Sequence, residues 1–185
     1  MNGYRLGTRE VATVKYKLIG TFACLLTAFG AHARQSSWTV QASDDGTVVA
    51  RVAMDHRGTT GTTIMTVLNV GYGRKNGCQP EFGIAMLKGS GYGSPVGKIS
   101  PPSTEPITLV VDESRVPTPA PFLVKYDNGI EAVFAASPEI VQALVAGTTA
   151  TVQIVSGTPT FEFPLTGAGA ALDAARRQCM SSESR

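Results

Sequence analysis

Side chains of the types that perform catalysis are few in this sequence. His56 lies in the polar stretch His56–Gly61, which lacks the nucleophile elbow of a serine hydrolase. We therefore expect His56 to be solvated in a loop. The acidic pairs Asp44–Asp45 and Asp112–Glu113 lie at turns, and nothing fixes the carboxylate separation that glycosidase chemistry needs. The sequence predicts a protein that is not an enzyme and has no catalytic residue; a small exported hydrolase is the alternative.

The first 33 residues have the three regions of a secretory signal peptide. Basic residues precede an apolar run from Leu18 to Phe29, and the small-residue sequence Ala31-His32-Ala33 follows. The run is too short to span a bilayer comfortably. We predict cleavage after Ala33, a single exported domain over 34–185 without a transmembrane segment, and a periplasmic or secreted location. An uncleaved anchor is the alternative.

Loss of this segment leaves an almost neutral chain. The whole sequence has 16 Lys and Arg residues and 14 Asp and Glu residues, of which 12 and 13 follow residue 33. The basic pI of about 8.5 therefore belongs mostly to the signal peptide. Since basic and aromatic residues are not interleaved, the sequence does not predict nucleic-acid binding.

Cys78 and Cys179 are the two cysteines beyond the signal peptide. Together with His56 they are too few to complete a zinc site, so we predict no metal and no cofactor. In an oxidising compartment the favoured interpretation is a disulfide between Cys78 and Cys179, and two separate buried thiols are the alternative.

Two glycine-rich segments are the candidate binding region. Gly71–Gly77 has the composition of a phosphate loop, but Gln79-Pro80-Glu81 follows instead of the helix N-terminus that would receive an anion. We therefore interpret Gly71–Gly77 as a hairpin tip. Lys88–Pro106 is long for a connection, which indicates a functional or a disordered segment.

Four side chains on these segments are candidate binding residues: Tyr72, Arg74, Lys75 and Tyr92. Tyrosine offers a large contact area with few rotatable bonds, and loops on a rigid scaffold commonly bind partners. We expect all four to be exposed and to form one contact surface near Cys78. The alternative for each tyrosine is that it covers apolar surface.

The elements that would position these residues are mostly strands. Alternating apolar residues predict strands over 37–42, 47–54, 63–70, 82–87, 107–111, 122–126, 130–135, 151–155 and 161–165. Asn128-Gly129 predicts a type I′ hairpin turn. Ser137-Pro138-Glu139 predicts a helix start and Gly147 its end, and a second helix is expected from about Ala168. The fold class is mainly β: a sandwich-like domain of antiparallel strands with two short helices near the C-terminus.

From residue 107 onward a set of small motifs follows in a characteristic order. They are Leu109, Val111-Asp112, Pro121-Phe122, Asp127-Asn128-Gly129, Ala132, Ile140–Leu144, Gly147, Phe163–Gly167 and Ala171-Leu172, with Trp38-Thr39-Val40 at the start of the domain. This order resembles the invasion-associated locus B family of secreted proteobacterial proteins. The chain has Tyr126 and Ile130 where that family often has cysteines. The resemblance implies a non-enzymatic periplasmic or exported domain linked to host interaction.

These observations together predict a non-catalytic periplasmic or secreted binding protein associated with virulence or a host. Its expected partner is a protein or an envelope component. An accessory subunit of an envelope or secretion machine is the alternative.

Overall fold

A computed structural model describes residues 37–57, 62–96, 105–154 and 159–181. The predicted signal peptide and residues 97–104 of the long glycine-rich segment lie outside these ranges. The described residues form ten strands and two α-helices, with a 3-10 turn at Arg74–Asn76. In chain order the elements are β1 (Thr39–Ala42), β2 (Val48–Arg57), β3 (Thr63–Gly73), β4 (Gln79–Lys88), β5 (Thr108–Val111), β6 (Ser114–Val116), β7 (Phe122–Tyr126), β8 (Gly129–Ala135), α1 (Pro138–Ala146), β9 (Thr149–Gln153), β10 (Phe161–Pro164) and α2 (Ala168–Ser181).

The strands form two antiparallel sheets, and the predicted mainly β class is confirmed. The large sheet has the order β1-β2-β3-β4-β8-β7 and the small sheet the order β10-β9-β5-β6. Strands β5 and β6 of the small sheet therefore lie in the chain between β4 and β7, which both belong to the large sheet.

The core is built from the inner faces of both sheets. Because side chains alternate along a strand, Val48, Ala50 and Val52 of β2 all face inward and are buried. They belong to one apolar cluster with Leu109 of β5 and Phe163 of β10, which are fully buried in the small sheet. The outer face of the large sheet does not contribute to this cluster, and its buried residues form a separate, smaller cluster.

Helix α1 begins as the sequence predicts. The Ser137 hydroxyl accepts a hydrogen bond from the Ile140 amide at 3.3 Å, and Pro138 is the first helical residue. Gly147 ends the helix with extended backbone (φ −80°, ψ 169°) instead of a left-handed turn. Glycine is needed there because a Cβ atom would lie 2.3 Å from Cγ1 of Val111.

Helix α2 presents Leu172, Ala175 and Cys179 to the core, as predicted. The Cys179 sulfur lies 2.02 Å from that of Cys78, and the two Cα atoms are 6.0 Å apart. The predicted pair is thus at disulfide distance, and it links α2 to the hairpin between β3 and β4. Neither α1 nor α2 is long and apolar enough to cross a membrane.

The turn between β7 and β8 differs from the prediction. Asp127 and Asn128 connect the strands, and neither has the positive φ that a type I′ turn requires. Gly129 opens β8, where a Cβ atom would lie 2.1 Å from the Met86 carbonyl oxygen. Close approach of β4, and not turn geometry, therefore requires this glycine.

Candidate functional site

The four candidate binding residues do not share one surface. Tyr72 lies within β3 on the inner face of the large sheet, and Tyr92 lies against the outer face, where its hydroxyl is 3.3 Å from Asn69. Successive residues of a strand point to opposite faces, so the odd separation of Asn69 and Tyr72 along β3 places them on opposite sides. The predicted common surface is wrong.

Tyr72 is a core residue. It is 3% exposed, because β3 continues through Gly71 and Gly73 and its ladder to β2 pairs Tyr72 with Val48. Burial raises the pKa of Tyr72. The expectation that Tyr72 is exposed is therefore wrong, and the hairpin tip is limited to the residues after Gly73.

Arg74 and Lys75 are exposed on that tip, as predicted. The Arg74 side chain lies beside the turn after β1, with Nε 3.3 Å from the position that a Cβ atom on Gly46 would take. Asp45 of the same turn has a lowered pKa, chiefly because the Ser43 hydroxyl donates to it, with a small contribution from Lys75. Both cations thus lie near an acidic turn. Their role in binding stays a prediction.

Tyr92 belongs to an apolar cluster on the outer face of the large sheet. Four buried residues form the cluster, Val67, Ala85, Leu87 and Tyr126, and Met65, Val124 and Tyr92 pack against them. The rings of Tyr92 and Tyr126 meet edge to face with centroids 5.2 Å apart. Tyr92 is carried by residues 89–96, here called the strap, and the expectation of an exposed Tyr92 is wrong because its ring covers this apolar surface.

A polar network closes over the cluster. The carboxylate of Glu131 on β8 accepts a hydrogen bond from Tyr126 at 2.9 Å, from the Asn69 amide at 3.0 Å and from the Tyr92 hydroxyl at 3.3 Å. Burial, together with the charge of Glu131, raises the pKa of Tyr92 well above its usual value. The network therefore holds Tyr92 as a neutral hydrogen-bond donor.

Asn128 fixes the strap to the sheet. Its side-chain amide donates to the carbonyl oxygens of Lys88 and Gly91 at 3.0 and 2.8 Å, and its oxygen accepts from the Gly93 amide at 3.0 Å. Further along, the Val96 amide donates to the Lys125 carbonyl at 2.9 Å. The strap is thus bonded at both of its ends, whereas the sequence left a functional and a disordered segment as alternatives for Lys88–Pro106.

Gly83 makes the position of Asn69 possible. The two residues are opposite each other in β4 and β3, and a Cβ atom on Gly83 would lie 2.4 Å from Oδ1 of Asn69. Any larger residue at position 83 would displace the Asn69 side chain from its present position.

A cleft of about 250 Å³ lies beside the strap, and we call it the strap cleft. Its lining includes Thr39, Arg51, Met65, Val67, Ser90 and Tyr92. Arg51 is opposite Asn69 in the β2–β3 register. The cleft therefore combines one cation, several hydroxyl groups and an apolar floor.

The other chemical candidates have structural partners. His56 lies in β2, not in a loop, with Nε2 2.9 Å from the Thr66 hydroxyl and its ring packed on Phe161, so its predicted solvation is wrong. Asp112 accepts hydrogen bonds from the Thr148 amide and hydroxyl and the Thr149 amide at 2.7–2.9 Å, which lower its pKa. Among the described residues, no group of three or more His, Cys, Asp or Glu side chains could hold a metal ion.

Sequence reasoning missed Arg51, Asn69 and Glu131. Each is a polar residue inside an apolar strand, and each lies on the outer face at a position that the alternation assigns to solvent. Asn69 between Leu68 and Val70 was the available signal, because asparagine is depleted in strands. The sequence did not indicate that these three residues lie on one surface, because β8, which carries Glu131, pairs with β4 across a large separation in the chain.

Comparison with known proteins gives no neighbour for this fold and site: no family model, curated protein or solved structure matches the chain.

Proposed function

We propose that the protein is an exported, non-catalytic binding protein whose partner contacts the strap cleft. The observation that carries this proposal is the cleft itself. It lies on the outer face of the large sheet, whose apolar residues are not part of the main core. The solvent face of an antiparallel sheet is commonly polar. Here it has apolar residues, an ordered network and a fixed strap instead.

The order of the strap favours binding over simple coverage. Ordering the backbone of a residue costs about 1–2 kcal/mol, and the strap includes three glycines that lose the most freedom. The strap is already ordered in the folded protein, so partner binding does not carry the entropic cost of ordering it.

The resemblance to the invasion-associated locus B family supports the exported setting and a host or envelope protein as partner. An accessory subunit of an envelope or secretion machine would use the same surface. The two roles differ in which proteins are recovered with the chain.

A cleft-filling substitution tests the proposal. Ala53 is exposed on the cleft lining, so Ala53→Trp would fill the cleft without replacing a buried side chain. Thr151→Trp is the matched control, because Thr151 lines a separate cleft of about 400 Å³ on the small sheet. Both variants should keep the thermal stability of the parent.

The measurement is recovery of crosslinked partners from the native envelope and from host-cell extract, quantified against the parent chain. We expect Ala53→Trp to reduce recovery of a specific partner at least tenfold and Thr151→Trp to leave it unchanged. Equal recovery by the folded Ala53→Trp variant would refute the strap cleft as the binding surface.

A further inference from the structure

The chemistry of the strap cleft points to one class of ligand, provided that the proposed binding function holds. We infer that the cleft takes a single carboxylate attached to a short apolar body, with the carboxylate on Arg51 and the apolar body on Ala53 and Met65. This chemistry occurs in free aliphatic or aromatic acids and in the C-terminal residue of a peptide.

Arg51 supplies the anion-binding group. Its side chain is partly buried, and it has neither a salt bridge nor a hydrogen bond to another side chain in the described part of the protein. A guanidinium presents paired N–H donors that match the two oxygens of a carboxylate. Ser90 adds a hydroxyl group at the same cleft, whereas the Thr39 hydroxyl there donates to the Arg51 carbonyl oxygen at 3.4 Å.

The charge around Arg51 favours a singly charged ligand. The Glu131 carboxylate is hydrogen-bonded to Asn69, the residue opposite Arg51 in the adjacent strand. Among the described residues Arg51 is the one cation of the cleft lining, so the second negative charge of a dianion such as a phosphate monoester would meet no second cation there. A monocarboxylate matches the single positive charge.

The size and floor of the cleft set the rest of the ligand. Ala53 and Met65 provide its accessible aliphatic surface, because the third aliphatic residue of the lining, Val67, is only 2% exposed. Its volume of about 250 Å³ lies below the range of about 300–1,000 Å³ that is common for drug-sized ligands. It therefore suits a group of about one amino-acid residue.

NMR titration of the full exported chain, with its cysteine pair oxidised, tests this inference. The probes at pH 8 are phenylacetate, its neutral analogue phenylacetamide, and phenyl phosphate, which is a dianion at that pH. N-acetyl-Gly-Phe and its C-terminal amide test the peptide source. We expect saturable binding of phenylacetate or N-acetyl-Gly-Phe with a dissociation constant of about 1 mM, and at least tenfold weaker binding of both amides and of phenyl phosphate.

Variants locate the site. Arg51→Gln should weaken carboxylate binding at least tenfold, and Arg51→Lys should restore part of it, because lysine keeps the charge and loses the paired donors. Arg115→Gln, at an exposed arginine of the small sheet, is the control and should bind as the parent does.

The inference fails if Arg51→Gln binds phenylacetate and N-acetyl-Gly-Phe as the parent does, if the amides bind equally well, or if no probe saturates. The last result, combined with partner recovery that Ala53→Trp still abolishes, would overturn the ligand class and keep the binding function. A tighter constant for the peptide than for phenylacetate would identify a peptide C-terminus as the source.

Discussion

Gly83→Ala should destabilise the protein through one neighbour, Asn69. The three atoms nearest to a Cβ atom at position 83 all belong to the Asn69 side chain, the closest at 2.4 Å. Asn69 must therefore move, and it loses its hydrogen bond to Glu131. A hydrogen bond to a charged group contributes about 1.5–3 kcal/mol, so we expect the free energy of unfolding to fall by about 2 kcal/mol.

The sign should reverse when Asn69 is removed first. In an Asn69→Ala background the obstacle is gone, and the backbone of Gly83 is outside the left-handed region that favours glycine. Replacing a compatible glycine by alanine stabilises a protein by about 0.4–1 kcal/mol, because the unfolded chain has fewer conformations. The coupling between the two substitutions should therefore be about 2–3 kcal/mol.

Urea unfolding followed by the fluorescence of Trp38, the one tryptophan of the chain, measures all four members of this cycle. Gly71→Ala is the matched control on the same outer face, since its Cβ atom would meet nothing closer than 3.8 Å. It should be neutral or slightly stabilising. An equal cost of Gly83→Ala in both backgrounds would refute the assignment of the effect to Asn69.

Three further predictions concern other parts of the chain. Replacing both Cys78 and Cys179 by alanine should lower the free energy of unfolding by up to about 4.7 kcal/mol, since the linked residues are 101 apart; thiol labelling of both residues in folded, unreduced protein would contradict the pair. Stability should fall as the pH rises through about 10, because the unfolded chain ionises Tyr92 more readily than the folded chain, in which its pKa is raised. Urea titrations from pH 8 to 11 should show a smaller fall for Tyr92→Phe, and an unchanged fall would exclude Tyr92 as the source. Finally, N-terminal sequencing of exported protein should give Arg34, and recovery of Met1 would refute cleavage after Ala33.

Short sequence patterns correctly predicted the features that depend on neighbouring residues in the chain. The alternation of Val48, Ala50 and Val52 was sufficient to place β2 on the core, because a strand has a period of two. The cap at Ser137 and the buried face of α2 followed in the same way from residues within one turn.

The errors arose where a distant strand decides the conformation. Gly71 and Gly73 indicated a loop around Tyr72, but the ladders to β2 and β4 keep this segment extended. Gly129 indicated a turn, and its actual requirement comes from the Met86 carbonyl of β4. The strap cleft likewise brings together β1, β2, β3 and the strap, and no short stretch of sequence contains that arrangement.

The interleaving of the two sheets has a consequence for the order of folding. Strands β1 to β4 form a meander of sequential neighbours, whose contacts are local and close early. The next strand of that sheet, β8, follows β5, β6 and β7 in the chain. A partly folded chain that has formed only the β1–β4 meander therefore exposes the β4 edge, which contains Phe82, Ile84 and Leu87. An unpaired apolar edge is where chains associate wrongly. The yield of refolded protein should therefore decline steeply as the protein concentration rises. A chaperone that covers the β4 edge should raise this yield.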